Sequence, residues 1–230
     1  MQTDARIHGM AGAIVLASHH PAPELLWSPL AGRPLLAWSV SACEATPEIA
    51  ETLLIVPEGR LSEAQSLVES QGWAHVRVLP EGQRLRESVE AGLRALAEPL
   101  AWVVTHEAAR PLASPALLRA ALDLAQQTNS DVITGGPVKE TVKRLRDGLV
   151  VETLPRERMA RAQMPFVFKR ERLLAAHATL PPEQDFPDEA TLALAAGLPL
   201  RVMSGPPDNI RVTSAADVAV VVALLAARSA

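Results

Sequence analysis

The stretch AGAIVLASHHPAPELLWSPLAGRPLL, residues 11–36, decides how this chain folds. Its first part, AGAIVLA at 11–17, has the length and composition of a buried strand. After the GRP step at 32–34 a helical pattern runs over 34–44. A buried strand that feeds a helix is the opening unit of a parallel α/β sheet. In such folds the turn after the first strand is usually glycine-rich and basic, so that backbone amides and cations receive phosphate. Here residues 18–30 contain no glycine, lysine or arginine, and Glu24 stands among them.

The same alternation continues outward. Strand candidates at 13–17, 52–56, 76–79, 101–105 and 131–134 are separated by helical patterns at 34–44, 61–71, 84–96 and 114–127. This predicts a mainly parallel sheet with helices on both faces. Ser114-Pro115 is a strong helix start. Ser214, with Asp217 three residues on, resembles a capping box for a last helix at 215–227. One segment breaks the pattern. Residues 141–146 and 149–153 flank Asp147-Gly148, whose two positions favour the positive φ of a tight hairpin turn. An isolated hairpin is marginal in water, so its apolar face (Val142, Leu145, Leu149, Val151) needs a cover. The parent domain and a second subunit both remain open as that cover. Residues 1–10 are expected to be a disordered tail, and 11–230 a single domain carrying a β-arm at about 138–156.

Bulk properties narrow the classes. An apolar fraction of 48% over 230 residues suits one α/β domain with an elaboration. The net charge of −4, with three Phe, four Trp and no Tyr, argues against nucleic acid as a partner. Cys43 is the only cysteine, which excludes an intrachain disulfide and a thiolate zinc cluster and suits a reducing cytoplasm. No apolar run approaches the ~20 residues of a membrane span. The head MQTDARIHGM has no signal-peptide organisation. A cytoplasmic location is expected, with no membrane partner.

Six segments carry polar chemistry. AWVVTHEAARP (101–111) ends a buried strand on Glu107, followed by Arg110. Ligands of parallel sheets collect outside the carboxyl ends of strands. A carboxylate there suits Mg²⁺, and a guanidinium suits phosphate. PVKETVKR (137–144) and ETLPRERMAR (152–161) offer Thr141, Lys139, Lys143, Arg144, Arg156, Arg158 and Arg161. PDEATLALAAG (187–197) opens a helix with Asp188 and Glu189, which capping explains. GPPDNIRVTSAAD (205–217) sets Asp208, Asn209 and Arg211 just before a further strand and helix, with Asp208 as an oxygen ligand and Arg211 as a charge stabiliser. EGQRLRESVEAG (81–92) joins the turn residue Gly82 to a helix bearing Ser88. Taken singly, each segment also fits an ordinary surface loop, cap or ion pair.

Taken in order, HEAARP, PVKETVKR, PRERM, PDEA and DNIRVTSAAD resemble the 2-C-methyl-D-erythritol 4-phosphate cytidylyltransferases of the non-mevalonate isoprenoid pathway. The resemblance runs from about residue 11 to about residue 225. GRPLL at 32–36 is shared more widely among sugar- and alditol-phosphate nucleotidyltransferases. The resemblance implies a Rossmann-like nucleotidyltransferase fold with a protruding β-hairpin arm, and a homodimer in which that arm crosses to the neighbour. It implies a reaction joining CTP to an alditol phosphate with Mg²⁺ and release of pyrophosphate. Carried over by position, Glu107 and Asp208 are the acids near the metal. Arg110 binds substrate. Thr141 and Arg156 reach the neighbour's substrate phosphate. Ala17, Ser18, Gly82 and Ser88 serve the nucleotide. Arg211 stands for a lysine that neutralises phosphate charge.

The chain departs from that pattern at definite places. Ala17-Ser18-His19-His20-Pro21 stands where the family has an alanine-alanine-glycine turn, and Pro23-Glu24 where it has Pro-Lys. Glu107 replaces aspartate, Gln83 an acid, Leu85 an arginine, and Met164 and Pro187 threonines. A hydrogen bond to a charged group contributes about 1.5–3 kcal/mol. Three lost phosphate contacts therefore correspond to roughly three to six orders of magnitude in affinity. His19 and His20 are expected to be surface loop residues that point apart. Three readings stay open: the cytidylyltransferase, a nucleotidyltransferase with an altered nucleotide or acceptor, and a non-catalytic dimer that binds a phosphorylated ligand or a protein.

Overall fold

The computed structural model describes residues 10–228. Apart from Met10, the tail expected at 1–10 lies outside them. The first half of the chain comprises β1 (Ala11–Leu16), α1 (Pro23–Trp27), β2 (Pro29–Leu30), β3 (Arg33–Pro34), α2 (Leu35–Glu44), β4 (Ile49–Val56), α3 (Leu61–Gln71), β5 (Val76–Pro80), α4 (Leu85–Ala95) and β6 (Trp102–Glu107). Then come α5 (Pro115–Thr128), β7 (Asp131–Pro137), β8 (Lys143–Arg146), β9 (Leu149–Thr153), β10 (Ala160–Lys169), α6 (Arg170–Thr179), α7 (Glu189–Ala195), β11 (Leu200–Ser204) and α8 (Ala215–Arg228).

A seven-stranded sheet runs in the order β11-β7-β10-β6-β1-β4-β5. Every pairing is parallel except those of β10, which lies antiparallel between β6 and β7. Side chains of a strand alternate between faces, and the core follows that rule. Ala13 and Val15 of β1 join a core with α2, α3 and α5, whereas Ile14 and Leu16 join one with α4, α6 and α7. Helices thus cover both faces, as the strand–helix alternation predicts.

Helix α6 and strand β11 are missed by periodicity, and so is strand β10. Pro165 in its middle argues against a strand, because proline cannot donate to a ladder. The ladder to β7 shifts register between Gln163 and Phe166, so the missing donor falls where the regular pairing is already interrupted.

Two buried arginines fasten α4 to its surroundings. Arg170 donates to the carbonyls of Leu93 (3.0 Å), Leu96 (2.9 Å) and Ala97 (3.1 Å), which α4 leaves without helical partners at its carboxyl end. Arg86 donates to the carbonyls of His177 (2.6 Å), Leu180 (2.9 Å), Gln184 (3.3 Å) and Pro181, tying α4 to the end of α6. The five donors of a guanidinium make such multiple capping possible.

The hairpin β8–β9 leaves the body. Asp147 (φ 51°) and Gly148 (φ 78°) form the expected tight turn. Its side chains are exposed throughout, Leu145 by 61% and Leu149 by 71%, so the parent domain does not cover it. The expected apolar face also needs correction. The two-residue turn sets Leu145 opposite Val150 and Leu149 opposite Arg146, and a register shift between Arg144 and Leu145 then puts Arg144 opposite Glu152, leaving Val151 without a direct partner. One bulged residue is enough to move a side chain to the other face. Among the described residues no helix is long and apolar enough to cross a membrane.

Arg86→Met keeps the apolar stem and removes every donor. We expect it to lower the unfolding free energy in urea by about 3 kcal/mol. Arg94→Met, on the exposed face of the same helix, should change it by less than about 0.5 kcal/mol.

Candidate active site

Parallel strands β1 and β6 end side by side, with Leu16 in register with Glu107. The loops that leave these ends frame a cleft of about 360 Å³. Ser18, His19 and His20 form one wall. Glu107, Arg110 and Arg211 form another, and β10 contributes Gln163, Met164 and Phe166. Leu85, Pro187 and Asp188 close the rim.

At its centre is a charged clasp. Glu107 accepts from Arg110 Nε through Oε2 and from Arg211 Nε through Oε1, both at 2.7 Å. Arg110 is buried and also donates to the carbonyl of Asn209 at 3.0 Å. Asn209, buried too, donates to the carbonyl of Met164 at 2.7 Å. Burial holds the Arg110 guanidinium below its ordinary value; Glu107 opposes that shift, and the charges of Arg211 and Arg161 add to it.

The loop after β1 compensates for its missing glycine. His19 itself adopts the left-handed conformation (φ 54°). For a residue with a Cβ this costs about 1–2 kcal/mol. Its Nε2 lies 3.1 Å from Ser88 Oγ, which also accepts from the amide of Gly82 at 2.8 Å. A Cβ on Gly82 would stand 2.6 Å from Glu87 Cβ and 3.0 Å from the amide nitrogen of Ser88, so the close turn needs glycine. Ala17 is tied back to the sheet by its amide, 2.9 Å from the carbonyl of Ile55. His20 accepts from the amide of Ala22 through Nδ1 (3.1 Å), so its Nε2 carries the proton and donates to the carbonyl of Val212 (2.8 Å).

These positions revise two expectations. His19 and His20 do point apart, but they line the cleft and are held by specific contacts. Glu24 turns outward on α1 and pairs with Arg60, whose guanidinium also bonds Glu63 and lies 5.2 Å from the Trp27 ring centroid. The negative charge expected beside the phosphate loop therefore has its own counter-ion and stands outside the cleft.

Of the candidate residues, Ser18, Glu107, Arg110 and Arg211 meet in the cleft. Ala17, Gly82 and Ser88 support its His19 wall from behind. Thr141 and Arg156 sit exposed on the arm, Arg156 bonded to the Lys139 carbonyl, and neither lines the cleft of its own chain. Asp208 is bonded to Arg228 at 2.5 Å and also lies outside it. The strand expected after Arg211 is absent; the chain passes directly into α8. Its capping box forms, with the Ser214 amide on Asp217 Oδ2 (2.9 Å) and the Asp217 amide on Ser214 Oγ (3.3 Å).

Asp188 acts as the expected cap, accepting from the Thr191 amide at 2.7 Å, but it also lines the cleft. Gln163 and Phe166 escape sequence reasoning because β10 does. Leu85, Met164 and Pro187, scattered in sequence, share this one cavity. Among the described residues no three His, Cys, Asp or Glu side chains group as a metal cage. Glu107 and Asp188 are the carboxylates lining the cleft. That donor set fits a hard cation held largely by ligand phosphates, as Mg²⁺ commonly is, and does not fit an all-protein site.

A mainly parallel α/β sheet with its cleft at the carboxyl ends of the central strands, a clasped arginine pair and a projecting hairpin defines a nucleotidyltransferase-like protein. Comparison with known proteins makes the assignment specific. The family model for 2-C-methyl-D-erythritol 4-phosphate cytidylyltransferase matches residues 19–227. The cytidylyltransferase of that name from Dehalococcoides mccartyi is 32% identical over 212 residues, covering 90% of this chain and 92% of the relative. That from Cereibacter sphaeroides is 37% identical over 203 residues, covering 87% and 88%. The crystal structure of 4-diphosphocytidyl-2C-methyl-D-erythritol synthase from Anaerococcus prevotii superposes with a TM-score of 0.85 at 24% identity, over 94% of this chain and 98% of that one. The cytidylyltransferase structure from Thermus thermophilus gives 0.74 at 26% identity, over 93% and 98%. The chain belongs to the 2-C-methyl-D-erythritol 4-phosphate cytidylyltransferase family.

Two buried groups beside the clasp titrate in opposite senses. Burial, with the Arg110 charge adding, drives His106 down to about 3. Burial, with the charges of Asp188 and Glu107 adding, pushes Glu189 up to about 7. Below about pH 6.5 the unfolded imidazole takes a proton that the folded one refuses, so His106 costs about 2 kcal/mol of stability between pH 7 and pH 5. Folded Glu189 binds its proton near pH 7, well above its unfolded value, and adds a similar amount over the same interval, about 2–3 kcal/mol. Glu189→Gln should therefore make the thermal midpoint fall more steeply from pH 7 to pH 5 than in the unaltered protein. Equal slopes would mean that Glu189 is already ionised at pH 7.

Proposed function

We propose that this chain joins CTP to 2-C-methyl-D-erythritol 4-phosphate and releases pyrophosphate. The observation that carries the reading is the clasp of Glu107 with Arg110 and Arg211 at the carboxyl ends of β1 and β6. An oxygen of the acceptor's phosphate attacks the α-phosphorus of the nucleotide. A phosphorus–oxygen bond forms there as the bond to the β-phosphate oxygen breaks, and the electron pair leaves with pyrophosphate. Little covalent work falls to the protein, so rate comes from positioning and charge neutralisation.

Arg211, half exposed at the cleft mouth, neutralises charge that builds on the phosphates. Arg110, buried and fixed by Asn209, orients the acceptor. Ser18 with Ala17, and Gly82 with Ser88, shape the nucleotide side through His19. Glu107 would hold Mg²⁺ together with nucleotide phosphates by giving up one of its two arginine partners, and the ion would supply further charge neutralisation. Asp208, which does not line the cleft, stays outside that set. Thr141 and Arg156 act on a neighbouring subunit's substrate phosphate, carried there by the arm of a homodimer. The location is the cytoplasm.

The non-catalytic reading draws on residues 18–30, which hold no lysine or arginine. One experiment separates the readings: pyrophosphate release from each of the four nucleoside triphosphates with the methylerythritol phosphate and Mg²⁺, beside calorimetric titration of CTP. We expect release with CTP above the others and a loss of about 10²–10³ in kcat for Arg211→Ala. Preference for another triphosphate would favour the altered-nucleotide reading. Neither binding nor turnover with any of the four would sink the enzyme reading.

The arm gives a second test. Deleting residues 142–153 removes the half-buried Val142 and otherwise exposed residues, so the body should fold, and the protein should elute as a monomer from a sizing column. An unchanged dimer would contradict subunit exchange through the arm.

A further inference from the structure

We propose that Arg161 joins Arg110 and Arg211 in a same-chain subsite for a terminal phosphate dianion, beside the cleft already described. A second pocket of about 260 Å³ is lined by Arg110, Arg161, Gln163, Asn209 and Arg211 among others. Arg110, Gln163 and Arg211 line both cavities, so the two are contiguous.

The backbone sets Arg161 there. It faces Gly136 across the β10–β7 ladder. Residues two apart on a strand share a face, so Arg161 projects with Gln163. A Cβ on Gly136 would lie 3.6 Å from Arg161 Nη2 and 3.4 Å from Gln163 Nε2. The exposed guanidinium therefore lies along the sheet over a residue without a side chain and lines the pocket.

Charge says what fits. Glu107 is bonded to Arg110 and Arg211, and it is the carboxylate of this cluster. Asp208, next in sequence to Asn209, is committed to Arg228. No ion pair of Arg161 occurs among the described residues. Three guanidiniums against one carboxylate leave two positive charges to be met. A phosphate monoester or the end of a pyrophosphate carries that charge and presents oxygens that guanidinium forks match. Naming the ligand as acceptor or nucleotide rests on the proposed reaction; the anion subsite itself does not.

The test is calorimetric binding of inorganic phosphate and of pyrophosphate to the full chain, compared with Arg161→Ala and Arg161→Lys. Arg161→Ala should weaken at least one anion about tenfold or more, and Arg161→Lys less. Arg158→Ala removes an equal charge from the exposed turn outside both cavities and should leave both affinities within about twofold. In turnover, a raised KM for the methylerythritol phosphate assigns the subsite to the acceptor; a raised KM for CTP or weaker inhibition by pyrophosphate assigns it to the nucleotide. If anion affinity falls with Arg161→Ala but no triphosphate is turned over by the unaltered chain, the subsite stands and the proposed reaction fails. Equal affinities in the unaltered chain and Arg161→Ala, equal losses in Arg158→Ala, or no anion binding by the unaltered chain would each overturn the subsite.

Discussion

The rest of the site depends on one carboxylate shared between two guanidiniums. Glu107 ends a central strand, Arg110 follows within one turn, and Arg211 comes from the segment that leads into the last helix. Their two short bonds draw the carboxyl-terminal part of the chain onto the sheet at the place where β1 and β6 open. Without the carboxylate, adjacent guanidiniums would repel in a half-dry cavity, where charge interactions are stronger than in water. The extra methylene of Glu107 relative to aspartate gives it reach to both. The clasp also connects through Asn209 to Met164, so three separate stretches of chain share one polar network.

Arginine does structural work elsewhere in the same way. Arg86 and Arg170 satisfy carbonyls around α4, and Arg60 neutralises Glu24 while lying near Trp27. A lysine presents a compact charge with three donors and could not serve three carbonyls in fixed directions. With 19 arginines against three lysines, the sequence has the means for this kind of bonding. The cationic surplus is therefore not all available to ligand; much of it is spent on backbone oxygens.

The alternation of apolar runs with helical patterns was enough to read the parallel strands β1, β4, β5, β6 and β7, the helices α2 to α5 and the Asp147-Gly148 turn, but it did not show β11 or α6. Glu107 and Arg110 were legible because strand ends of such sheets face ligand, and Arg211 was legible through the family resemblance of the DNIRVTSAAD segment. What remained hidden was hidden for physical reasons. Pro165 disguised β10, and with it Gln163, Phe166 and the strand position of Arg161, which the sequence offered only as one cation among several. The outward turn of Glu24 depends on Arg60, 36 residues later, and no local pattern reveals such a partner. His19 could not be foreseen at positive φ, because that conformation is fixed by Ser88 and the sheet rather than by its own preference. Asp188 was read as a cap, which it is, and its second position on the cleft rim follows only from how α7 packs.

Strand β10 is at once the wall of the cavity and the stalk of the hairpin. Its ladder to β7 begins at Ala160, only seven residues after β9 ends at Thr153. A single residue inserted between Gln163 and the buried Phe166 would turn Arg161 and Gln163 to the opposite side of the sheet, since alternation admits no half step. The joint therefore tolerates changes of residue type far better than changes of length, and chain count there is a dimension of the catalytic machinery in its own right.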